Sequence, residues 1–162
     1  MKKFILSLAL VAGMVSALNA QVDGKAIGIR FGAGGEISYQ HPLGDANRLE
    51  LDLGFTGYRL GLTGIYHWVW DLSSIADGLK WYVGPGATVG FTTYPSSYNW
   101  VGYYGNNGVY LGIAGQIGAE YNFNFPLQLS LDYRPELYLL KPAWLWYSGS
   151  YGGICLAARY RF

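Results

Sequence analysis

Two histidines and one cysteine are the obvious candidates for chemistry in this chain: His41, His67 and Cys155. A histidine could act as a general base only within hydrogen-bond reach of the group it deprotonates. No serine stands at a spacing that would bring it beside either histidine. His41 falls in a segment dense in turn formers, His41-Pro42-Leu43-Gly44-Asp45-Ala46-Asn47,. His67 lies in an alternating stretch and reads as an interior residue bonded to a carboxylate. Two histidines and a single cysteine without ligand spacing argue against a metal centre. Cys155, between Gly153 and Ala157, reads as a small packing group, and one cysteine excludes an internal disulfide,. No enzyme, cofactor or metal is expected.

The remaining polar chemistry is carried by charged residues at alternate positions. Arg30, Glu36, Glu50, Asp52, Glu120, Asp132, Arg134, Arg159 and Arg161 each sit between apolar neighbours. So do Arg59, His67 and Glu136. A period of two is a strand pattern, with one face charged and the other apolar. The closing stretch is the clearest: Ile154, Leu156, Ala158, Tyr160 and Phe162 share one face, with Cys155, Ala157, Arg159 and Arg161 on the other. Ile27, Ile29 and Phe31 repeat the pattern against Gly28 and Arg30. Leu49, Leu51, Leu53 and Phe55 do so against Glu50, Asp52 and Gly54. Leu127, Leu129, Leu131 and Tyr133 do so against Gln128, Ser130, Asp132 and Arg134.

Such a sheet separates two unlike media. Composition agrees: charged residues are 13% of the 162-residue chain, against about 25% in ordinary soluble domains, while hydrophobic residues reach 51% and aromatics 17%. The net charge of +1 offers no basic field for nucleic acid,. Lys2 and Lys3, the apolar run from Phe4 to Val15 and the small residues from Ser16 to Ala20 read as a signal peptide over 1–20, cut after Ala17 or Ala20,. The apolar run is too short to span a bilayer. Residues 21–162 would then be one domain. No later segment reads as a helical span, so membrane residence requires a closed barrel, which leaves no backbone group unpaired in lipid.

Taking 26–40 as one strand gives seven strands in all; splitting it at Gly32-Ala33-Gly34 gives eight. A glycine hairpin there would pair Phe31 with Gly35 and Ile29 with Ile37, keeping the apolar face in phase. Eight is preferred, because an odd count puts the termini on opposite sides and an open edge is costly in lipid. The expected fold is all-β, an eight-stranded antiparallel transmembrane barrel of up-and-down order. Segments 41–47, 71–78 and 122–126 would be turns at one end, and 92–107 and 141–150 loops at the other. Pro85 and Pro135 each remove a ladder donor, with Gly84-Pro85-Gly86 the expected bulge.

Tyr66, Trp68, Trp70, Trp81, Tyr121, Tyr133, Tyr160 and Phe162, with Tyr39, are expected as an interfacial girdle near the turn end. The loop aromatics Tyr94, Tyr98, Trp100, Tyr103 and Tyr104, interleaved with Ser, Asn and Gly, suit an adaptable binding surface. Interior charges of both signs should pair and fill so narrow a lumen.

In length, alternation and the terminal Tyr160-x-Phe162, the chain resembles small bacterial outer-membrane barrels of the OmpA-transmembrane-domain and OmpX-like group. That resemblance implies residence in the cell outer membrane and contact with the lipid bilayer and lipopolysaccharide. It also implies recognition of the C-terminal strand by the barrel-assembly machinery, and a monomer. The expected role is structural or one of surface interaction and loop display. A narrow solute channel or a lipid A-modifying enzyme is the alternative.

Overall fold

A computed structural model describes residues 24–32, 34–56, 59–93, 107–142 and 153–162. Nine strands make one antiparallel sheet: β1 (Ala26–Phe31), β2 (Gly35–Pro42), β3 (Asn47–Thr56), β4 (Arg59–Asp71), β5 (Leu79–Thr92), β6 (Gly108–Asn122), β7 (Leu127–Arg134), β8 (Glu136–Leu140) and β9 (Gly153–Arg161). β7 and β8 are one barrel strand interrupted at Pro135: both pair with β6, and the register is the same at Ile117–Tyr133 and Ile113–Leu137. Counted so, the barrel has eight strands in meander order. β1 pairs with β2 on one side and with β9 on the other, and this second seam closes the wall.

The first block is a hairpin. Phe31 pairs with Gly35 and Ile29 with Ile37, as the alternation requires. Among the described residues the wall has no helix, and the strands tilt strongly. A walk across hydrogen-bonded neighbours from Ile154, near one end of β9, passes Tyr133, Ile117, Val83 and Trp68. It arrives at Asn47, at the opposite end of β3. Such a stagger is what closing a sheet into a small barrel demands.

The three turns at 41–47, 71–78 and 122–126 lie at one end, beside the Lys25–Phe162 backbone pair. In the second of them the Ser73 amide donates to Asp71 (2.6 Å), and Gly78 adopts a positive φ of 82°, a conformation that favours glycine,.

Each proline removes a ladder donor as expected, and Pro135 breaks its strand, but the expected bulge at Pro85 is absent. Gly84-Pro85-Gly86 is no bulge: β5 keeps one register against β6 through Pro85–Gly115, and the same register against β4 on either side of it. Pro85 points outward and forfeits only the donor towards β4. The register shift lies instead between Leu111 and Gly112, against Leu140 and Tyr138 of β8. Pro135 keeps its carbonyl in the ladder, accepting from the Gly115 amide at 3.0 Å.

Burial inverts the rule for soluble proteins. The outward residues of the wall are large and apolar, such as Ile29, Leu62, Ile113, Leu131 and Leu156, and all are exposed. Arg30, Arg159, Glu50, Asp52 and His67 are fully buried. Inside and outside have changed places, so the hydrophobic contribution depends on what surrounds the wall.

Candidate functional site: the charged lumen

The even-numbered positions of β1 to β3 and β5 to β8 and the odd-numbered positions of β4 and β9 project inward, because closure makes one face of every strand concave,. Their side chains form three stacked layers with a cup above them.

Nearest the turns, Arg48 of β3 holds Glu120 of β6 with two nitrogens, at 2.6 and 2.9 Å. Its Nε donates to His67 Nδ1 at 3.3 Å, and its guanidinium lies 4.6 Å from the Tyr82 ring centroid. The His67 ring packs on Tyr82 at 4.7 Å. His67 is thus a packed lumen residue that accepts from an arginine.

In the middle layer, Arg159 of β9 spends its donors on three strands: Ser38 (2.9 Å), Ser130 (2.9 Å) and Glu50 (3.0 Å). Glu50 also accepts from Gln40 at 2.6 Å and Gln116 at 3.1 Å. Both oxygens of this buried carboxylate are engaged, Oε2 by Gln40 and Arg159 and Oε1 by Gln116, which helps make a buried ion pair tolerable,.

Above it, Arg30 of β1 bridges Glu36 (2.6 Å) and Asp132. Arg134 of β7 reaches Glu36, Asp52 (2.7 Å) and Glu136 (3.2 Å). The planar fork of Arg suits this sharing, since one guanidinium can serve two or three carboxylates. Tyr82 adds a hydroxyl donor to Asp132 at 3.2 Å. Close approach needs glycine: a Cβ on Gly118 would stand 2.6 Å from Asp132 Cβ and 2.7 Å from the Tyr82 hydroxyl.

The cup at the loop end has a volume of about 60 Å³. Arg59 lies over the Tyr110 and Tyr138 rings, at 4.6 and 5.4 Å, and donates to the Tyr138 hydroxyl at 3.0 Å. Tyr138 donates onward to Glu136 at 2.7 Å. Cys155 is buried in the cup wall, its thiol 3.7 Å from the Gly153 carbonyl.

Of the charges singled out by alternation, the structure brings Arg30, Glu36, Asp52, Asp132 and Arg134 into one cluster, Glu50 with Arg159 into a second, and Glu120 into a third. Arg161 stands apart. It is at the turn rim and donates to the Phe123 and Phe125 carbonyls. Arg48 and Lys80 are buried lumen cations that alternation could have found, being in phase with Glu50 and Tyr82. Both adjoin turns, where the pattern is shortest.

On the outer face, Trp70 stacks on Trp81 across β4 and β5 at 4.4 Å, Tyr66 meets Trp68 edge-on at 5.3 Å, and Tyr160 lies 6.5 Å from Phe162. Tyr121 packs on Phe123 of the adjoining turn at 4.8 Å. Tyr133 does not join this band: it pairs with Ile117 and Ile154, at the end of β7 away from the turns. Tyr94, Tyr98, Trp100, Tyr103 and Tyr104 lie outside the described residues.

Comparison with family models, curated proteins and solved structures finds no match. The fold itself, an eight-stranded antiparallel barrel, is consistent with the OmpA and OmpX type.

Proposed function

We propose that this protein is an integral barrel of the bacterial outer membrane. Its lumen is plugged by ion pairs, and its role is structural or one of surface interaction through its loops. The observation that carries the reading is the inverted burial: an exposed apolar wall around a buried, paired set of charges. In water such a wall would be one continuous aggregation-prone patch; in lipid it is solvated. The aromatic band at the turn end suits the headgroup interface. On this reading the barrel belongs with the OmpA and OmpX-like group, whose eight-stranded antiparallel architecture it shares. Lipopolysaccharide and bilayer lipid are its surroundings, the assembly machinery its partner during insertion, and the monomer its working state.

The three layers argue for a closed lumen. Passage of solute would have to part Arg159 from Glu50 and Arg48 from Glu120, each a buried pair with several kcal/mol at stake.

The test combines two measurements on protein from the outer-membrane fraction. Unboiled samples should migrate faster than boiled ones on a gel, and planar bilayers should show no steady conductance steps. A soluble protein without a gel shift would sink the membrane reading. Steady conductance would replace the plug with a channel.

A further inference from the structure

The rim of the barrel is uneven. Hydrogen-bonded partners lead from Gly35 of β2 through Phe55, Leu60 and Phe91 to Val109 of β6. Strands about 4.8 Å apart and tilted by about 40° raise each step by about 3 Å, so Val109 stands about 12 Å above Gly35. The outer face stays apolar on the high side, with Val109 and Leu139 exposed. If lipid covers that height, the low rim at the β1–β2 hairpin is sunk inside the hydrocarbon of the outer leaflet.

The cup opens at this low point. Its lining passes from Glu36 over Gly35 and Gly34 to Phe55, the rim residue paired with Gly35. Glycines keep the passage clear where packing does not require them. A Cβ on Gly54 would make only an ordinary 3.5 Å contact with Glu36, one on Gly35 would meet nothing nearer than 3.9 Å, and one on Gly153 nothing within 4 Å. Gly118, by contrast, is fully hemmed in.

Charge in and under the cup is balanced. Arg30, Arg59 and Arg134 face Glu36, Asp52, Asp132 and Glu136, and a fourth cation, Lys141, lies 5.6 Å from the Tyr138 ring just past the end of β8. An ionic guest would upset that balance in a low dielectric. An uncharged guest with several hydroxyls could hydrogen-bond to the same groups and rest on the tyrosine rings. A cavity of about 60 Å³ has room for roughly five water-sized groups,.

Resting on the membrane reading above, we propose that the cup binds the uncharged polyhydroxyl head of a single-chain amphiphile, a glyceride or glycoside. The alkyl chain leaves sideways over Gly34 and Gly35 into the outer leaflet.

The test uses the full protein in phosphatidylcholine nanodiscs. The probes are a monoacylglycerol and an alkyl glucoside carrying a diazirine on the chain, with a fatty acid and an alkyltrimethylammonium of equal length as comparators. Saturable labelling by the neutral probes is expected, concentrated in peptides around Phe31 and Phe55. Gly54→Leu should cut it at least tenfold, and Gly44→Leu, in a turn with nothing near its Cβ, should not. Stronger labelling by one neutral probe names the source of the head, and either result supports the site. Labelling spread evenly around the barrel, equal labelling by the charged probes, or full labelling of Gly54→Leu would overturn it. Displacement by soluble glycerol as effectively as by the glyceride would overturn the lateral route. Protein that enters nanodiscs and shows the gel shift, yet labels evenly, refutes the cup alone; protein that never inserts refutes the membrane reading beneath it.

Discussion

Replacing Arg159 by methionine tests the interior most directly. The guanidinium binds Ser38, Ser130 and Glu50, and all four groups are buried. Methionine keeps much of the volume and removes the charge and all three donors. Glu50 keeps Gln40 and Gln116 as donors, so it is not stripped, but its charge loses its counterion. Breaking a buried pair from one side costs about 3–5 kcal/mol, and the two serine hydroxyls, each losing one donor, add about 1 kcal/mol each,. The two retained amide donors should hold the total to roughly 3–5 kcal/mol on those scales. The second half of the test is Arg159→Met with Glu50→Gln, which removes the stranded charge while leaving a group that can still bond Gln40 and Gln116. The double variant should recover about 2 kcal/mol or more of the loss, since a neutral buried amide costs far less than an unpaired carboxylate. The assay is urea unfolding of the barrel in lipid vesicles, read by the gel shift and by tryptophan fluorescence. If the single and double variants unfold at the same urea concentration, Glu50 does not depend on Arg159 and the layered account of the lumen is wrong.

Three further outcomes are expected. Leu131→Arg, on the exposed apolar face in the middle of β7, should cost about 2–4 kcal/mol in bilayers; an unchanged unfolding midpoint would mean that this face does not meet lipid. Gly118→Val forces a side chain against Asp132 and Tyr82, so the variant should stay in the slow-migrating form even unboiled, while Gly44→Ala migrates like the parent. Cys155 is buried and free, so a maleimide should label it at least tenfold more slowly in the folded barrel than in urea; equal rates would show that the cup wall is open.

Periodicity carried most of the wall. Which residues face in follows from the alternation within each strand, and the alternation held in every strand from Arg30 to Arg159 because one shift would turn a whole strand's side chains to the wrong medium,. The hairpin at Gly32 was legible because its phase survives the turn. Ion-pair partners were not legible. Arg30 meets Asp132 at a separation of 102 residues and Arg134 meets Asp52 at 82, and those meetings depend on strand stagger, which no local pattern encodes. Pro85 misled for a related reason. A missing donor suggests a broken ladder, but an outward proline with its empty side towards one neighbour leaves the register intact. Tyr133 was misplaced because its level depends on how β7 is tilted.

The seam between β1 and β9 has a consequence in time. Ala26 finds its partner Arg161 only after nearly the whole described chain exists. Until then β1 has one neighbour, and Arg159 has only Glu50, Ser38 and Ser130 to wait for it, on strands already made. The wall therefore cannot ripen strand by strand into a sealed object. It passes from an open ribbon, sticky along two edges, to a ring in a single late event, and that event carries the largest loop-closure entropy in the molecule. Until that closure the outer edges of β1 and β9 have no backbone partner, and such edges are open to pairing with other chains,.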